Sequence, residues 1–450
     1  MAPPVATSDF RGWGDATPSD RTSLQDIPEG SLGASLKARS IDIAICGMAC
    51  RLPGGLHTPQ QFWDFLIAKG DARGRVPESR YNTDTWYCKS MKPASINNEY
   101  GYFLDKSINL AHLDTSFFGM KREEVNRADP QQRQMLEVVR EAMEDAGEAN
   151  YRGKHIGVFL GNFGEDWQDM WGKEVQVYGQ YRVSGYGDFM LPNRISYEMD
   201  LHGPSFLVRT ACSSSMMALH EACNAITRGD CVSAIVGGAN LILAPGMSIA
   251  MSDQGVLSKD GSCKTFSADA NGYARGEAIN CLFIKPLEDA VRDGNPVRAV
   301  IRSTAAGSDG FGSGGLFTPN AEAQADVMRR AYAAAGIMDL SKTAFVECHG
   351  TGTPIGDPIE TKAVADVFGS QKGVYIGSVK PNVGHGEGAS GLTSVIKAVL
   401  ALENKKIPPN IKFTTPNPNI RWDANLRVPV EPTSFPDDCD ERISVNSFGT

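Results

Sequence analysis

The stretch RTACSSSMMALHEAC, residues 209–223, decides how the rest of the sequence is interpreted. Before it, PSFLVRTA (204–211) is a short run rich in strand formers. After it, apolar residues from Met216 onward recur at steps of three and four, which is typical of a helix. The pattern predicts a strand, a tight turn and a helix, with Cys212 at the helix start.

A cysteine at a helix start is a candidate nucleophile. The helix dipole and the unpaired backbone N–H groups there favour a thiolate over a thiol. The serines at 213–215 are expected to cap or open the helix. The alternative is that Cys212 is a small buried hydrophobe, as most free cysteines are, and this alternative stays open until a partner base is found.

Composition describes an acidic protein with a large core. The chain has 450 residues, a net charge of -9 and 22% charged residues. No basic stripe predicts nucleic-acid binding, and no polybasic run predicts a membrane surface. The charge-free segment 231–252 contains Gly237, Gly238, Pro245 and Gly246, which argue against a membrane span.

Cysteine usage favours a reducing compartment. The ten cysteines include no CxxC pair, and no secretory signal opens the chain. We therefore expect a cytoplasmic protein without disulfide bonds.

The chain divides into a leader and an α/β region. Residues 1–40 are rich in Pro, Ser, Gly, Asp and Thr, which predicts a disordered leader. From Ile41 onward, buried strand patterns alternate with helix patterns, such as the amphipathic segment 129–147. This alternation predicts an α/β fold with mostly parallel strands.

Two histidines lie at glycine-flanked strand ends, as Cys212 does. In VECHGTGTPIGDPIE (346–360) a strand ends at His349, and in GSVKPNVGHGEGASG (377–391) a strand continues through Lys380 to His385. Glycines let the backbone approach a ligand closely, and ligands gather at the carboxyl ends of parallel strands. We expect the two imidazoles to lie near the thiol.

One thiol and two histidines restrict the chemistry. A cysteine hydrolase needs one histidine and an orienting Asn or Asp, for which the sequence has no motif. No closely spaced ligand pairs indicate zinc, and GSDGFGSGG (307–315) lacks the spacing of a dinucleotide loop. A second imidazole donor suits a reaction in which an enolate oxygen becomes negatively charged, such as carbon–carbon bond formation between thioesters.

Taken together, the motifs resemble the β-ketoacyl synthase family, and in particular the ketosynthase domain of fungal highly reducing polyketide synthases. The resemblance extends from about Ile41 to Thr450. The motifs that carry it are DIAICGMACRLPGG, FFGMKREEVNRADPQQRQMLEVVREAMEDAG, LPNRISYEMDLHGPS, TACSSS, GSCKTFSADANGYARGEA, ECHGTGTPIGDPIE, VKPNVGHGEGASGL and VNSFG.

The resemblance implies a thiolase-like αβαβα sandwich of two duplicated halves and a homodimer. The N-terminal half would span 41–290 and hold the nucleophile, and the C-terminal half would span 291–450 and hold the two histidines. The implied activity is the decarboxylative Claisen condensation of an acyl-cysteine thioester with malonyl on an acyl carrier protein, in polyketide biosynthesis. No cofactor is expected on the chain itself, because phosphopantetheine arrives on the carrier protein.

The resemblance also implies residue roles. Cys212 would carry the acyl chain and supply one oxyanion N–H, while His349 and His385 would stabilise the enolate. Lys380 would hold the charge and hydrogen bonds of the site, with Glu387 as a neighbour. Other polyketide synthase domains are further expected partners.

Two departures from the family pattern are visible. Arg209 stands where many members have an acidic residue. The family motif continues past NSFG into a Gly-Gly-Thr-Asn segment, whereas this sequence ends at Thr450, where the second oxyanion N–H belongs. We therefore expect an incomplete C-terminal end and keep a truncated, catalytically impaired relic or dimerisation module as the alternative. A degradative thiolase is disfavoured, because Cys439 lacks a matching glycine-rich context.

Overall fold

Strands and helices alternate along the chain from Ile43 onward. The computed structural model describes residues 41–449, apart from 91, 174–175, 177–178, 312–314, 316 and 370–371. The leader expected at 1–40 and residue Thr450 lie outside the described residues.

The strands β1 to β14 are, in chain order, Ile43–Arg51, Arg73–Arg75, Tyr100–Tyr102, Ile156–Asn162, Ser205–Val208, Ser233–Asn240, Ala278–Pro286, Ala299–Ile301, Thr343–Glu347, Val374–Gly377, Lys406–Ile407, Leu426–Arg427, Thr433–Ser434 and Asp440–Val445. The helices α1 to α14 are Pro59–Ile67, Thr83–Trp86, Arg122–Arg127, Pro130–Asp145, Asp166–Gly172, Arg182–Tyr186, Met190–Met199, Ser214–Arg228, Gly246–Asp253, Leu287–Asp293, Ala321–Ala334, Gly356–Phe368, Lys380–Val383 and Ser390–Glu403. Short 3-10 helices span Ala211–Ser213, Leu340–Lys342, Glu387–Ala389 and Trp422–Ala424.

Local sequence accounts for where α4 begins and where α8 ends. Helix α4 begins at Pro130, whose fixed φ suits a first helical position, and the Asp129 carboxylate accepts the N–H of Gln131 at 2.7 Å. Helix α8 ends at Arg228, and Gly229 follows in the left-handed conformation with a φ of 80°. Both ends agree with the sequence pattern.

The larger sheet has six strands in the order β5-β4-β6-β7-β1-β8. Strand β4 pairs in parallel with β5 and with β6. Strand β7 is antiparallel to both β6 and β1, and β8 is antiparallel to β1. Strands β1, β4 and β6 are buried along their whole length because helices cover both faces of the sheet.

The expectation of mostly parallel strands is wrong for this sheet. Three of its five pairings are antiparallel. Because β6 and β7 are antiparallel neighbours, their connection (241–277) begins and ends at the same sheet edge. The sequence shows strand and helix signals in turn but does not show whether a connection crosses the sheet.

The smaller main sheet has four strands in the order β12-β10-β9-β14, and its pairings are all parallel. Two further pairs, β11 with β13 and β2 with β3, are antiparallel. The carboxyl ends of β9 and β10 lie side by side, so the segments that follow them meet at one edge.

The elements form five layers. Helices α8 and α14 lie between the two main sheets and share one apolar core with β1, β6 and β7. Helix α4 packs on the outer face of the six-stranded sheet, and α11 and α12 pack on the four-stranded sheet. Helix α14 is buried from Ser390 to Ala401, as expected for a helix between two sheets. The αβαβα layering confirms the expected thiolase-like sandwich.

Among the described residues, no helix has both the length and the apolar character that crossing a membrane requires.

Candidate active site

Cys212 lies in the tight turn that joins β5 to α8. The turn is the 3-10 helix Ala211–Ser213, and Ala211 has a φ of 51°, a left-handed conformation that is uncommon outside glycine. The Ser214 hydroxyl accepts the N–H of Thr210 at 2.9 Å and donates to the Ala211 carbonyl at 2.6 Å. The serines therefore hold the turn together, although Ser213 makes no side-chain cap on α8.

Two elements from elsewhere in the chain hold the Cys212 backbone. The hydroxyls of Ser390, at the start of α14, and Ser447, after β14, each donate to the Cys212 carbonyl at 3.2 Å. Strand β4 passes so close that a Cβ on Gly161 would overlap the backbone of Ser215. These contacts leave the turn little freedom to move.

The structure brings the three predicted residues together. One side-chain atom each from Cys212, His349 and His385 lies within 4.8 Å of the other two. The two imidazole centroids are 5.3 Å apart, with the rings nearly perpendicular at 86°. His349 follows β9, and His385 follows the short helix α13 that comes after β10. The grouping of the three residues agrees with the prediction from glycine-flanked strand ends.

The hydrogen bonds of His385 determine its tautomer. The N–H of Glu387 donates to Nδ1 of His385 at 3.2 Å, so a neutral His385 carries its proton on Nε2. The Nε2 atom is buried and has no partner within the described residues. His385 therefore offers one free N–H donor inside the site.

Both imidazoles are neutral at pH 7. Burial holds the pKa of His349 and of His385 well below its usual range, and the positive charge of Lys380 lowers both further. A neutral imidazole donates one hydrogen bond without adding a net charge. This state suits stabilisation of a developing oxyanion.

Lys380 and Glu387 both lie in the site as predicted. The buried Lys380 ammonium donates to the His349 carbonyl, which fixes the end of β9. One Glu387 oxygen lies 3.9 Å from Cys212 Sγ, and the other lies 3.3 Å from Nε of Arg275.

The expected lowering of the thiol pKa is not found. Burial raises the pKa of Cys212, the Glu387 carboxylate raises it further, and the Lys380 ammonium lowers it. The helix start alone therefore does not make Cys212 a thiolate. Reactivity depends on the balance of charges around the sulfur.

Sequence reasoning missed two carboxylates that hold the His349 loop. Glu360 accepts the N–H groups of His349 and Gly350 at 2.7 and 2.8 Å, and Asp357 accepts that of Gly352 at 3.0 Å. Both acidic residues stand in the quoted GTGTPIGDPIE motif, but their roles depend on how α12 folds back onto the loop.

Arg209, the unusual residue shortly before Cys212, has two acidic partners. It forms ion pairs with Glu165 and with Asp188, the latter at 3.1 Å. These partners belong to the segments that precede α5 and α7. The basic residue at this position is therefore matched by nearby carboxylates.

The site opens into a cavity of about 2010 Å³ that Cys212, His349, His385 and Glu387 help to line. The methionines of α8 at 216 and 217 form part of its wall, and the cavity continues between β8 and β14. Thr450, the proposed second oxyanion donor, lies outside the described residues. The expected absence of a metal stays a prediction.

The fold and the site define a class of condensing enzyme, and family comparison gives the same class. Residues 40–290 match the family described as "Beta-ketoacyl synthase, N-terminal domain", and residues 298–414 match "Beta-ketoacyl synthase, C-terminal domain". The chain belongs to the β-ketoacyl synthase family.

Curated relatives are fungal highly reducing polyketide synthases, which confirms the resemblance. The chain is 64% identical over 415 residues to highly reducing polyketide synthase sphB of Aspergillus fumigatus, covering 92% of this chain and 16% of that protein. It is 60% identical to VdtX of Byssochlamys spectabilis, covering 90% of this chain and 18% of VdtX. It is 52% identical to squalestatin hexaketide synthase of a Phoma species, covering 92% of this chain and 16% of that synthase. The chain thus spans about a sixth of the length of these relatives.

Solved ketosynthase structures share the fold. The oxazolomycin ketosynthase domain OzmH KS7 of Streptomyces albus has a TM-score of 0.84 at 32% identity, covering 91% of this chain and 73% of that one. The ketosynthase from module 6 of the Bacillus subtilis bacillaene synthase has a TM-score of 0.80 at 33% identity, covering 91% of this chain and 70% of that ketosynthase. These similarities show the thiolase-like fold for the whole α/β region.

Proposed function

We propose that this chain performs the decarboxylative condensation step of a polyketide synthase. The observation that carries the proposal is the grouping of one thiol and two neutral imidazoles in a cavity large enough for an acyl chain. Family membership supports the reaction class.

In the first half-reaction the thiol of Cys212 attacks the acyl thioester of a carrier-protein phosphopantetheine. A new carbon–sulfur bond forms at Cys212, and the carrier thiol leaves with a proton. The backbone N–H of Cys212 is proposed as one donor to the carbonyl oxygen, and Thr450 as the second.

In the second half-reaction a malonyl thioester on a carrier protein loses carbon dioxide. The electron pair of the broken carbon–carbon bond becomes an enolate, whose oxygen accepts hydrogen bonds from His349 and from Nε2 of His385. The enolate carbon attacks the acyl carbonyl, and the Cys212 thiolate leaves. The product is a β-ketoacyl thioester on the carrier protein. Each donor to such an oxyanion contributes about 3 to 4 kcal/mol.

Lys380 and Glu387 are proposed to support this chemistry rather than to react. Lys380 holds the His349 carbonyl and supplies a positive charge that favours the Cys212 thiolate. Glu387 fixes the tautomer of His385 through its backbone N–H.

The proposed partners are an acyl carrier protein, other polyketide synthase domains and a second copy of this chain. The similarity to multidomain synthases supports the first two. Strand β5 supports the third, because within the described residues it pairs with β4 alone and forms an open edge of its sheet. We also propose a cytoplasmic location, which the ten free cysteines support.

The test uses the purified chain, an acyl-loaded carrier protein and a malonyl-loaded carrier protein. We expect a β-ketoacyl product on the carrier protein, detected by mass spectrometry. His349→Ala and His385→Ala should each lower its rate about 10²-fold or more while Cys212 is still acylated. The exposed His112 provides the control His112→Ala, which should keep the full rate.

Acylation of Cys212 without carbon dioxide release in the unaltered chain would contradict the proposal. That outcome would favour the impaired relic or dimerisation module.

A further inference from the structure

Arg275 is a buried cation beside the site with no role in the reaction described above. It lies in the segment between α9 and β7 and is only 6% exposed. Its Nε atom lies 3.3 Å from Oε1 of Glu387, and its Nη1 atom donates to the Ser248 hydroxyl at 2.9 Å. A buried guanidinium is costly to desolvate unless a partner compensates it, and Glu387 is that partner.

Glu387 connects this cation to two of the reacting groups. Its Oε2 atom lies 3.9 Å from Cys212 Sγ, and its backbone N–H donates to Nδ1 of His385. Glu387 also has a φ of 44°, so its backbone is held in an uncommon conformation. A carboxylate at this distance opposes thiolate formation unless a positive charge offsets it.

The backbone around Arg275 contacts His385 directly. The N–H of His385 donates to the Ala274 carbonyl, and the N–H of Gly276 donates to the His385 carbonyl, both at 2.8 Å. Arg275 therefore lies in the short bridge that fixes His385, while its side chain reaches Glu387.

We propose that Arg275 is a positioning residue that keeps the Glu387 carboxylate paired and in place, and thereby sets the reactivity of the Cys212 thiol. The inference rests on the proposed role of Cys212 as the nucleophile. Glu387 disfavours the Cys212 thiolate even in the intact protein, and Arg275 limits this effect because it binds the other oxygen of the same carboxylate.

The sign of the effect follows from the groups around Glu387. Burial raises the pKa of Glu387, and Arg275 is the strongest influence that lowers it. Without Arg275 the pKa rises further. Below that pKa the carboxyl is neutral and the thiol is little affected, whereas above it an unpaired anion lies beside the sulfur. Among the described residues, the titratable and charged groups that face Glu387 or its partner Arg275 are Cys212, Lys380, His385, Tyr273, Tyr81 and Asp166.

The test measures the rate of Cys212 alkylation by iodoacetamide from pH 6 to pH 9, with peptide mass spectrometry to assign the site. For Arg275→Met we expect the alkylation rate, relative to that of the unaltered protein, to fall as pH rises, to about tenfold lower at pH 9. Arg275→Lys should stay within about threefold of the unaltered protein at every pH, because it keeps the charge.

Arg80→Met is the matched control. Arg80 forms a buried ion pair with Glu277 at 2.7 Å and does not contact Glu387. Arg80→Met should lower the unfolding temperature but should not change how the rate of Cys212 alkylation depends on pH. A second control is the Glu387→Gln background, in which Arg275→Met should no longer change the pH profile.

Three outcomes would overturn the inference: a pH-independent rate ratio for Arg275→Met, the same pH dependence in Arg80→Met, or an undiminished effect in the Glu387→Gln background. Failure of the proposed function has a different signature. In that case Cys212 of the unaltered protein would react no faster than the partly exposed Cys439, whatever the Arg275 variants do.

Discussion

The sulfur of Cys212 experiences opposing charges, and the turn that carries it is tightly packed. Glu387 and burial disfavour the thiolate, while Lys380 favours it. At the same time the backbone of the turn is held by hydroxyl donors and by the close approach of β4. Substitutions of single residues can separate the effect of packing around Cys212 from the effect of charge in the site.

Packing is tested at Gly161. We predict that Gly161→Ala lowers the free energy of unfolding by about 1 to 3 kcal/mol, because the added Cβ overlaps the backbone of Ser215. Cys212 alkylation should change as well, since the turn that carries Cys212 must shift. Gly74→Ala is the control, because a Cβ there meets nothing within 4 Å. Urea unfolding measures the first effect, and equal stability of the two variants would refute it.

Charge is tested at His385, which is fully buried and neutral. Because burial lowers the pKa of His385, the unfolded chain takes up a proton below pH 6.5 that the folded chain does not. The free energy of unfolding of the unaltered protein therefore falls as pH falls below 6.5. His385→Gln should become more stable relative to the unaltered protein by about 1.4 kcal/mol per pH unit below pH 6.5. Urea unfolding at pH 5, 6 and 7 measures this slope, and a flat difference would contradict the neutral imidazole. The exposed His112→Gln is the control.

Local patterns pointed to Cys212, His349 and His385, and the family resemblance pointed to Lys380 and Glu387. Neither assigned a role to Arg275 or Glu360. Cys212, His349 and His385 each follow a strand pattern and lie beside small residues, which is a local signal. Arg275 and Glu360 have no such signal, because their roles come from partners that are 112 and 11 positions away in the chain.

At the scale of elements, helix α12 shows how a helix start can hold the loop that carries His349. Asp357 in its first turn accepts the N–H groups of Phe266 and Gly352 at 2.8 and 3.0 Å. Burial nevertheless raises the pKa of Asp357 to about 7, with the nearby Glu360 adding to the rise. The carboxyl is therefore partly protonated near neutral pH.

The raised pKa of Asp357 predicts how the free energy of unfolding of Asp357→Asn depends on pH. Between the ordinary pKa near 3.8 and the folded value near 7, the folded chain holds a proton that the unfolded chain loses, so stability falls as pH rises. The amide has no such penalty. We expect the variant to gain about 1.4 kcal/mol per pH unit relative to the unaltered protein between pH 5 and pH 7. Chemical unfolding at these pH values measures it, with the exposed Asp423→Asn as a control. A loss of relative stability with rising pH would contradict the assignment.

Sequence patterns identified the main strands and helices but not every strand direction. Apolar runs such as HIGVFLGN and INCLFIKPL became β4 and β7 because each is buried on both faces. The antiparallel direction of β7 depends on the path of residues 241–277, which no local pattern determines.

At the scale of the whole molecule, the open edge strand β5 predicts a dimer. Phe206 on this strand is 39% exposed and packs edge-to-face on Phe159, with ring centroids 5.0 Å apart. We expect light scattering to give about twice the chain mass of 48.5 kDa. Phe206→Lys should shift the protein toward the monomer, because a charge at the edge opposes strand pairing. Val291→Lys, at an exposed apolar position of α10, should not. A monomer at all concentrations would refute the prediction.

The division into halves at 41–290 and 291–450 stays a prediction at this scale. The family resemblance implied the layering, and the structure confirms it, with α14 buried from Ser390 to Ala401 between the two main sheets. The contribution of Thr450 to the oxyanion site likewise stays a proposal.

The most direct test of the account is intact-protein mass spectrometry after incubation with a short acyl thioester. We predict a single adduct of the acyl mass that maps to Cys212 and is blocked by prior treatment with iodoacetamide. Cys212→Ala should abolish it, and Cys439→Ala should leave it unchanged. Acylation that persists in Cys212→Ala, or the absence of any adduct together with a Cys212 no more reactive than the other nine cysteines, would contradict the central claim.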